Sequence, residues 1–529
     1  MMANALLTLP PDYWTTFTPA KKDLEFIGAC LFENETPLTE KELVPVLVNE
    51  RIRSERDVLL QQHRAGGKTY LPKENYKTGD PLVFPALNWK KGKVIGARSG
   101  VNPGMGEFSV IEVEFEDGVK SFAAGLAEHA LNQPVEVAAD DQLLNPENVL
   151  KTFGADLEQK LLKSLHSDPD LVRIAGRWFP RALLVDVNAG HLNLAEAVLE
   201  ENGGAPLTAS ALIEQVELPL GGSAKLIEFS MNYALQEDGR FDEVGPAGEV
   251  LWCLKRLEPE DVQQIPATLR CVEMEYDQSL LTPQMLKLVA EIDDELTEPA
   301  SPAPAADEVT VALTYPHWRA GTLPVSARVQ GLFPTAYESP RVRFTLVDGQ
   351  SGEEIPAWVV RQHRYVAGLG RFYKKYDLFP GSLVVVKRGK QPGQAIITAR
   401  TRRPTRDWVR TVLAGSDGGI VFAMLKQNLA AEYNERMVVA VPDAAGVDEA
   451  CAQLAKQRVP FEQLVASAMR EVVKLNVQGH VHAQELYSAL NIIRRCPPAP
   501  LLAFLVGNKA YKHVGDMHFR MAESEAGNE

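Results

Sequence analysis

The sequence predicts an α+β multidomain protein, and three observations carry that prediction. A short pattern recurs three times, helix-like and strand-like segments alternate along the chain, and one segment concentrates positive charge in an otherwise acidic chain. The chain has 529 residues, 45% of them hydrophobic, and a net charge of −15. That length exceeds what one hydrophobic core usually supports. We therefore expect repeated helix–turn–helix modules, a small β-barrel and a basic β-barrel-like domain.

The recurring pattern is centred on a Pro-Leu-Thr tripeptide. Residues 33–47 read ENETPLTEKELVPVL and residues 201–216 read ENGGAPLTASALIEQV, so that Leu43 aligns with Leu212. A looser third copy, GHVHAQELYSAL, occupies 479–490. Each copy follows one helix-like apolar run and precedes another. Repetition of this kind indicates one supersecondary unit used several times, and the unit here reads as helix–turn–helix.

The residues around the tripeptide predict where the second helix of each unit begins. Thr39 is a suitable N-cap, and Glu42 completes a capping box three residues later. In the third copy, Leu486 and Leu490 take the positions of Leu43 and Leu47.

Three later segments share a hydrophobic pair, a glycine and an aromatic strand, and these predict hairpins that close the modules. They read RIAGRWF, EVGPAGEVLW and HVGDMHF. The strand-like segment at 66–84 is a further candidate hairpin for the first copy. Between 82 and 123, the alternation of Val110–Phe115 and the turn at Asp117-Gly118 predict a small β-barrel.

These elements predict seven segments, with a Pro/Ala-rich acidic linker, EPASPAPAADE, as the clearest boundary. The segments are an N-terminal module at 1–80, the small β-barrel at 81–135, a second helical module at 145–185, a third at 190–297, the linker at 298–308, the basic β-domain at 309–410, and a C-terminal helical module at 411–529.

Residues 192–254 resemble a known family. The helix LNLAEAVLEE, the turn before Pro206-Leu207, the helix Ala209–Val216 and the closing FDEVGPAGEVLWCL are similar to the HARE-HTH winged helix. This family occurs in chromatin proteins, some restriction enzymes and the delta subunit of bacterial RNA polymerase. Looser copies lie near 22–80 and 465–521. The resemblance implies winged-helix folds and a protein partner in transcription or restriction machinery. The segment 81–135 resembles SH3-like barrels in strand rhythm.

The third helices of two copies lack the side chains that a groove-reading helix needs. The helix at 223–236 offers only Lys225, beside Glu228, and PPAPLLAFLVGN in the last copy is nearly uncharged. A helix in the major groove normally presents Arg, Lys, Asn or Gln. We expect these two copies to contact protein or to be structural. Four arginines of the first copy are scattered round their helix, which predicts a solvated surface: Arg51, Arg53, Arg56 and Arg64.

Positive charge is concentrated at 341–410, where fifteen Lys and Arg face five Asp and Glu. Such bases neutralise phosphates, and exposed aromatic rings stack on bases. The aromatic residues interleaved here are Phe344, Trp358, Tyr365, Phe372, Tyr373, Tyr376 and Trp408. The predicted nucleic-acid-binding residues are Arg341, Arg343, Arg361, Arg364, Arg371, Lys374, Lys375, Lys387, Arg388, Lys390, Arg400, Arg402, Arg403 and Arg406.

The order of elements in this basic domain also resembles a family. A strand pair around Asp348-Gly349, then GLGRFYKKYDLFPGSLVVVKRG, is similar to the DNA-binding pseudobarrel of plant transcription factors, over 309–402. The resemblance implies DNA as the partner.

Motifs for catalysis and cofactors are missing from the sequence. It has no P-loop, GxGxxG, GxSxG, CxxC or HExxH pattern, so we expect no catalytic site, no metal and no cofactor. His480 and His482 lack a third ligand nearby and are expected to be cap and surface residues. Five well-separated cysteines suit a reducing cytoplasm. The N-terminus lacks a signal-peptide pattern and no apolar run reaches 18 residues, so we expect a cytoplasmic protein without membrane contact.

Three hypotheses follow. The first is a DNA-associated binding protein, related to transcription or chromosomes, whose basic β-domain contacts the phosphates of DNA or RNA and whose winged helices orient it or bind partners. The second is a protein-interaction scaffold for RNA polymerase or restriction machinery without direct DNA contact. The third is a nucleic-acid-modifying enzyme whose catalytic residues are dispersed in the sequence.

Overall fold

A computed structural model shows that the chain contains both helical repeats and β-sheets. The predicted α+β multidomain class is confirmed. Two compact units are formed, Met1–Val185 with Gly221–Phe229, and Asp186–Leu220 with Ser230–Glu529. Most of the predicted linker at 298–308 lies outside the described residues, and so does the side chain of Arg64. The described residues are 9–64, 67–87, 90–102, 107–132, 142–216, 223–298, 306–391, 393–415 and 418–522.

The first unit alternates helices with short strands. Its elements are α1 (Tyr13–Thr16), α2 (Lys21–Asn34), β1 (Leu38–Thr39), α3 (Glu40–Arg64), β2 (Lys68–Thr69), β3 (Pro81–Phe84), β4 (Lys90–Ser99), β5 (Ser109–Phe115), β6 (Gly118–Ala124), α4 (Pro146–His166), β7 (Leu171–Ile174) and β8 (Arg177–Pro180).

The first repeat is closed by a hairpin distant in sequence. Strand β1 pairs with β8, which pairs with β7, and Leu38 lies opposite Trp178. The helices α2, α3 and α4 therefore share one module with this three-stranded sheet. The sequence placed the closing hairpin at 66–84, and that interpretation is wrong. Strands β2 and β3 instead join a five-stranded sheet in the order β2-β3-β4-β5-β6.

This five-stranded sheet is inserted between α3 and α4 and has its own aromatic core. Tyr70, Phe84 and Phe115 are buried there, and Phe122 packs against them. The rings of Phe84 and Phe122 are 4.4 Å apart between centroids. Across this insertion α3 stays in contact with the segment that precedes α4, because Arg56 donates to the Leu144 carbonyl at 3.0 Å.

The second repeat belongs to the chain's longer unit except for the first half of α7, which is grouped with the first unit. The elements from here to the basic domain are α5 (Ala189–Glu201), α6 (Ala209–Val216), α7 (Ala224–Glu237), β9 (Phe241–Glu243), β10 (Trp252–Leu254), α8 (Glu260–Gln263) and α9 (Pro283–Ile292). Strand β10 pairs with β9 as predicted. Leu207 bridges Trp252, and each backbone N–H donates to the other's carbonyl at 3.1 and 2.8 Å.

The basic domain is built on a seven-stranded sheet in the order β11-β16-β17-β13-β14-β15-β12, followed by a long two-stranded hairpin. Its elements are β11 (Glu308–Ala312), α10 (Tyr315–Ala320), β12 (Thr322–Pro324), β13 (Arg341–Asp348), β14 (Glu354–Val360), β15 (Tyr365–Ala367), α11 (Gly370–Lys375), β16 (Leu383–Arg388), β17 (Gln394–Ala399), β18 (Thr401–Ala414) and β19 (Ile420–Ala431).

The third repeat ends the described chain. Its elements, with the helix that precedes it, are α12 (Ala444–Lys456), α13 (Phe461–Val473), β20 (Val481–His482), α14 (Ala483–Ile493), α15 (Pro498–Gly507), β21 (Tyr511–Gly515) and β22 (His518–Met521). Strand β20 pairs with β22, and Val481 lies opposite Phe519. Among the described helices none is long and apolar enough alone to cross a membrane; α14 and α15 reach that length only together, and they meet at 114°.

All three repeats place equivalent residues in equivalent positions. The residue two positions before each second helix pairs with a buried aromatic residue of the closing hairpin. These pairs are Leu38 with Trp178, Leu207 with Trp252, and Val481 with Phe519. The aligned leucines, Leu43, Leu212 and Leu486, are each fully buried.

The capping position is also shared. Backbone N–H groups at the start of each second helix donate to Thr39 Oγ1 at 3.3 Å, to Thr208 Oγ1 at 3.2 Å, and to His482 Nδ1 at 3.1 Å. These bonds satisfy N–H groups that otherwise lack partners at a helix start. The pattern read in the sequence is therefore a repeat of structure.

A buried ion cluster joins the end of α14 to the loop after α9. Arg495 Nη2 lies 2.7 Å from both Asp294 Oδ1 and Glu295 Oε1. Glu295 also faces His317 Nε2 at 3.1 Å, and the Tyr487 hydroxyl donates to Asp294. All five side chains are buried, so the third repeat and the basic domain are fixed to each other through α10 and α14.

Candidate nucleic-acid interface

Strand directions divide the fourteen predicted bases between two ends of the seven-stranded sheet. Strands β13 and β17 run parallel, and β14 and β16 run opposite to them. The arm end is where β13 and β17 finish and the β18–β19 hairpin, here called the arm, begins. It carries Arg371, Lys374, Lys375, Arg400, Arg402, Arg403 and Arg406. The far end or its outer face carries Arg341, Arg343, Arg361, Arg364, Lys387, Arg388 and Lys390.

The two ends are too far apart for one small patch. Eight residues of β13 at about 3.3 Å each span roughly 24 Å. The predicted bases of 341–410 therefore lie at two ends of the sheet, because consecutive strands run in opposite directions.

At the far end, Arg341 is committed to the fold. Its Nη1 lies 2.7 Å from Asp242 Oδ2 and 2.9 Å from Glu258 Oε2, and its side chain is only 17% exposed. Burial, with the neighbouring charge of Asp242, raises the pKa of Glu258 to about 8. Next along the strand, the backbone N–H of Arg343 donates to Val244 at 2.8 Å. The Arg341 side chain and the backbone of residue 343 thus hold the second repeat against the sheet.

Four other far-end bases also have partners within the protein. Arg361 donates to the Ser339 carbonyl at 2.6 Å, Arg364 to the Glu295 carbonyl at 3.1 Å, and Arg388 to the Gly331 carbonyl at 2.9 Å. Lys387 pairs with Glu308 at 2.7 Å on the surface. Lys390 is exposed and its side chain has no ion pair within the described chain.

Hydrogen bonds connect helix α11 to the start of the arm. Lys375 Nζ lies 2.7 Å from Asp348 Oδ2 and 2.8 Å from Glu353 Oε2. Burial acts to raise the pKa of Asp348, but hydrogen bonds from Lys375, Ser351 and Tyr376 outweigh it and hold that pKa well below its usual range. On the same turn, Gln350 Nε2 donates to Thr401 Oγ1 at 3.3 Å. Helix α11 and the start of the arm are therefore linked through the turn that follows β13.

Among the predicted bases of α11 and the arm, some pair with carboxylates and others do not. Arg402 is paired with Asp407, and Arg400 lies 3.6 Å from Glu432. Within the described chain, four predicted bases are exposed and have no carboxylate partner: Arg371, Lys374, Arg403 and Arg406. A further exposed base, Lys426, was not predicted, because it lies on the second strand of the arm, beyond the predicted basic segment. Only the register of β18 with β19 reveals it, because Trp408 pairs with Lys426.

Trp408 stands on the same face of the arm as Arg406, two residues away. Its side chain is 60% exposed, and Lys426 Nζ lies 5.4 Å from its ring centroid. The next residue on this face, Arg410, is buried and pairs with Glu485 at 2.8 Å, which ends the exposed basic face. Trp408 thus offers a flat ring between cations, an arrangement that suits base stacking.

Most other aromatic residues offered by the sequence are unavailable. Five are buried in the domain: Phe344, Trp358, Tyr365, Phe372 and Tyr373. Trp358 and Tyr365 pack with Val244 and Cys253 of the second repeat. In the strands the interleaving reflects alternation between two faces, and in α11 it reflects the buried and exposed sides of a helix. Trp408 is exposed.

The helices of the repeats do not supplement this charge. Helix α15 is almost wholly buried. In the first repeat, Arg51 pairs with Glu55 at 3.0 Å, Arg53 with Glu50 at 2.9 Å, and Arg56 donates to the Leu144 carbonyl at 3.0 Å. Bases in these helices therefore serve their own modules.

The histidine pair of the third repeat has a structural role at His482. This side chain caps α14, and its Nε2 lies 2.8 Å from Arg436 Nη1. Burial, together with the charge of Arg436, lowers the pKa of His482 to about 4. Within the described ranges, no group of three or more His, Cys, Asp or Glu is placed to hold a metal ion.

Comparison of this chain with protein-family models, with curated proteins and with solved structures returned no match.

Proposed function

We propose that this protein is a DNA-associated binding protein, related to transcription or chromosomes, that contacts nucleic acid through the arm and helix α11. The observation that carries the proposal is the exposed ring of Trp408, with Lys426 Nζ 5.4 Å from its centroid and Arg406 on the same face of the arm. Cations without carboxylate partners are available to displace counterions from phosphates. With about four phosphate contacts, the logarithm of the duplex-binding constant would fall with the logarithm of salt concentration at a slope of roughly −4.

The repeats are proposed to be winged helices of the HARE-HTH kind. Their shared order of helix, extended segment, helix, helix and hairpin supports this. The extended segment pairs with the hairpin as a strand in the first and third repeats and as a single bridge in the second. We further propose that the five-stranded sheet is an SH3-like barrel. The seven-stranded sheet with two short helices, α10 and α11, is proposed to be the pseudobarrel. In this arrangement the repeats orient the basic domain or bind partners, and the arm supplies phosphate contacts.

The test compares two variants of the full-length chain that remove equal charge from opposite ends of one sheet. R403A/R406A removes unpaired cations from the arm, and K387A/K390A removes cations from the far end. Binding of labelled duplex DNA, single-stranded DNA and RNA is measured by fluorescence anisotropy over a range of salt. We expect the arm variant to weaken binding to every sequence alike, since phosphate contacts carry no sequence information, and to reduce the salt slope by about 2. The control should bind like the wild type.

Equal affinities for the two variants would refute the assignment to the arm. Failure of the wild-type chain to bind any of the three nucleic acids at low salt would refute the function.

The second candidate is a protein-interaction scaffold without direct DNA contact. It is favoured by Lys225 being the only base of α7, and by exposed leucines on two helices, Leu194 and Leu286, each 52% exposed. Affinity purification after nuclease treatment tests it. A protein partner at fixed stoichiometry, with no nucleic acid bound by the purified chain, would support the scaffold over the first proposal.

A further inference from the structure

A cavity of about 920 Å³ lies among α10, α12, the end of α14 and the loop at 266–272. It is separate from the arm, and the residues that line it come from one compact unit. Its volume falls in the range of about 300–1,000 Å³ that is usual for small-molecule sites. Helices α12 and α14 contact each other beside the cavity, where the Cys451 thiol donates to the Ile492 carbonyl at 3.3 Å.

The lining of the cavity is predominantly aliphatic. Leu454 of α12, Leu464 of α13 and Val459 of the loop between them line it. Ile492 and Ile493 line it from α14. Its aromatic member is Tyr315, whose hydroxyl donates to Asp448 Oδ1 at 3.0 Å. A cavity with this lining favours a ligand with an aliphatic body over one with a flat base to stack.

Arginines from three different segments surround this apolar space. Within the described chain, Arg270, Arg458 and Arg494 line the cavity without a carboxylate partner. Arg270 donates to the Ile265 carbonyl at 3.3 Å, and Arg494 lies over the Phe461 ring at 5.9 Å. The carboxylate lining the cavity, Asp448, is already paired with Arg319 at 2.6 Å.

We propose that this cavity binds an organic anion with an aliphatic body, such as a fatty-acid carboxylate. The apolar lining removes the chain of the ligand from water, and charge-assisted hydrogen bonds from the arginines hold its carboxylate. A protein of net charge −15 would otherwise repel such an anion. Three arginines without carboxylate partners around one apolar cavity therefore favour an anionic ligand over a neutral one. This site is independent of the proposed nucleic-acid function.

Isothermal titration calorimetry of the full-length chain with micromolar dodecanoate tests the proposal, with acetate and dodecanol as matched probes. Acetate has the charge without the chain, and dodecanol has the chain without the charge. We expect dodecanoate to bind, acetate to show no binding, and dodecanol to bind at least about tenfold more weakly, because it lacks the charge-assisted bond. Equal binding of dodecanol and dodecanoate would overturn the role of the arginines.

Two variants locate the site. Arg458→Gln removes an exposed cation from the rim and should weaken dodecanoate binding about tenfold, while Lys456→Gln, an exposed cation of the same helix end that does not line the cavity, should not. Ala455→Trp fills the cavity from an exposed position of α12 and should abolish binding without disturbing the core. Circular dichroism verifies that each variant is folded. Undiminished binding by folded A455W, or no binding by the wild-type chain, would refute the proposal.

Discussion

Replacing Arg495 with methionine should be among the most destabilising single changes in the longer unit. The substitution keeps an apolar side chain of similar length but leaves the carboxyl groups of Asp294 and Glu295 buried without their cation. Both lie 2.7 Å from the guanidinium, and all three side chains are 5% exposed or less. Removing one partner from a buried ion pair costs about 3–5 kcal/mol. We expect a loss of that size in the free energy of unfolding at pH 7.

The loss should depend on pH in a defined direction. Burial raises the pKa of Asp294, whereas for Glu295 the charges of Arg495 and His317 outweigh burial and lower the pKa. Without Arg495 both folded-state pKa values should lie above the unfolded ones. An acid with a raised folded-state pKa is favourable to folding below its unfolded pKa, and that advantage is lost as the pH rises through the folded value. The deficit of R495M should therefore shrink as the pH falls toward about 4.5.

Urea unfolding at pH 7 and at pH 5, followed by circular dichroism, measures both effects. The matched control is Arg494→Met, which removes a neighbouring guanidinium that lies over Phe461 and has no carboxylate partner in the described chain. The control should lose less than about 1 kcal/mol. A loss of similar size in R495M and R494M, or a deficit that grows at low pH, would refute the reasoning.

Three further predictions concern other parts of the longer unit. Trp408→Ala should weaken single-stranded DNA binding about tenfold, since stacking on an aromatic ring contributes about 1–3 kcal/mol per base. The Tm should stay unchanged because the ring is 60% exposed. An unchanged affinity in anisotropy measurements would contradict the prediction. Burial, then the charges of Glu338 and Asp242, raises the pKa of Glu243 to about 8, so this group should make stability fall as pH rises from 5 to 8. Glu258, whose pKa is also raised to about 8, contributes to the same fall. Glu243→Gln should therefore reduce the fall in Tm without abolishing it, and an identical slope in both proteins would count against the prediction. Gly381→Ala would place a Cβ 2.5 Å from Val438 Cα at φ +97°, whereas the Cβ of Gly352→Ala would meet no atom within 4 Å at φ +75°. Calorimetry should therefore show a larger Tm loss for G381A, by an amount equivalent to about 1–3 kcal/mol. Equal losses in the two variants would mean that backbone strain alone is responsible.

The sequence by itself determined the features that depend on local order. The repeated tripeptide, its capping residue and the aligned leucines specify where a helix starts and which residues are buried, and neighbours in sequence decide those properties. Leu43, Leu212 and Leu486 are accordingly buried at equivalent positions. The α+β class and the hairpin of Phe241–Leu254 were predictable for the same reason.

Tertiary structure decided which distant segments meet and which charges remain available. The hairpin that closes the first repeat pairs Trp178 with Leu38 across an inserted sheet, and no local pattern records that pairing. Likewise, strand direction sends Lys387 and Arg403 to opposite ends of one sheet, and strand register brings Lys426 beside Trp408. The physical reason is that a side chain's charge is written in the sequence, but its partner, its burial and its neighbours in space are set by how the strands pair.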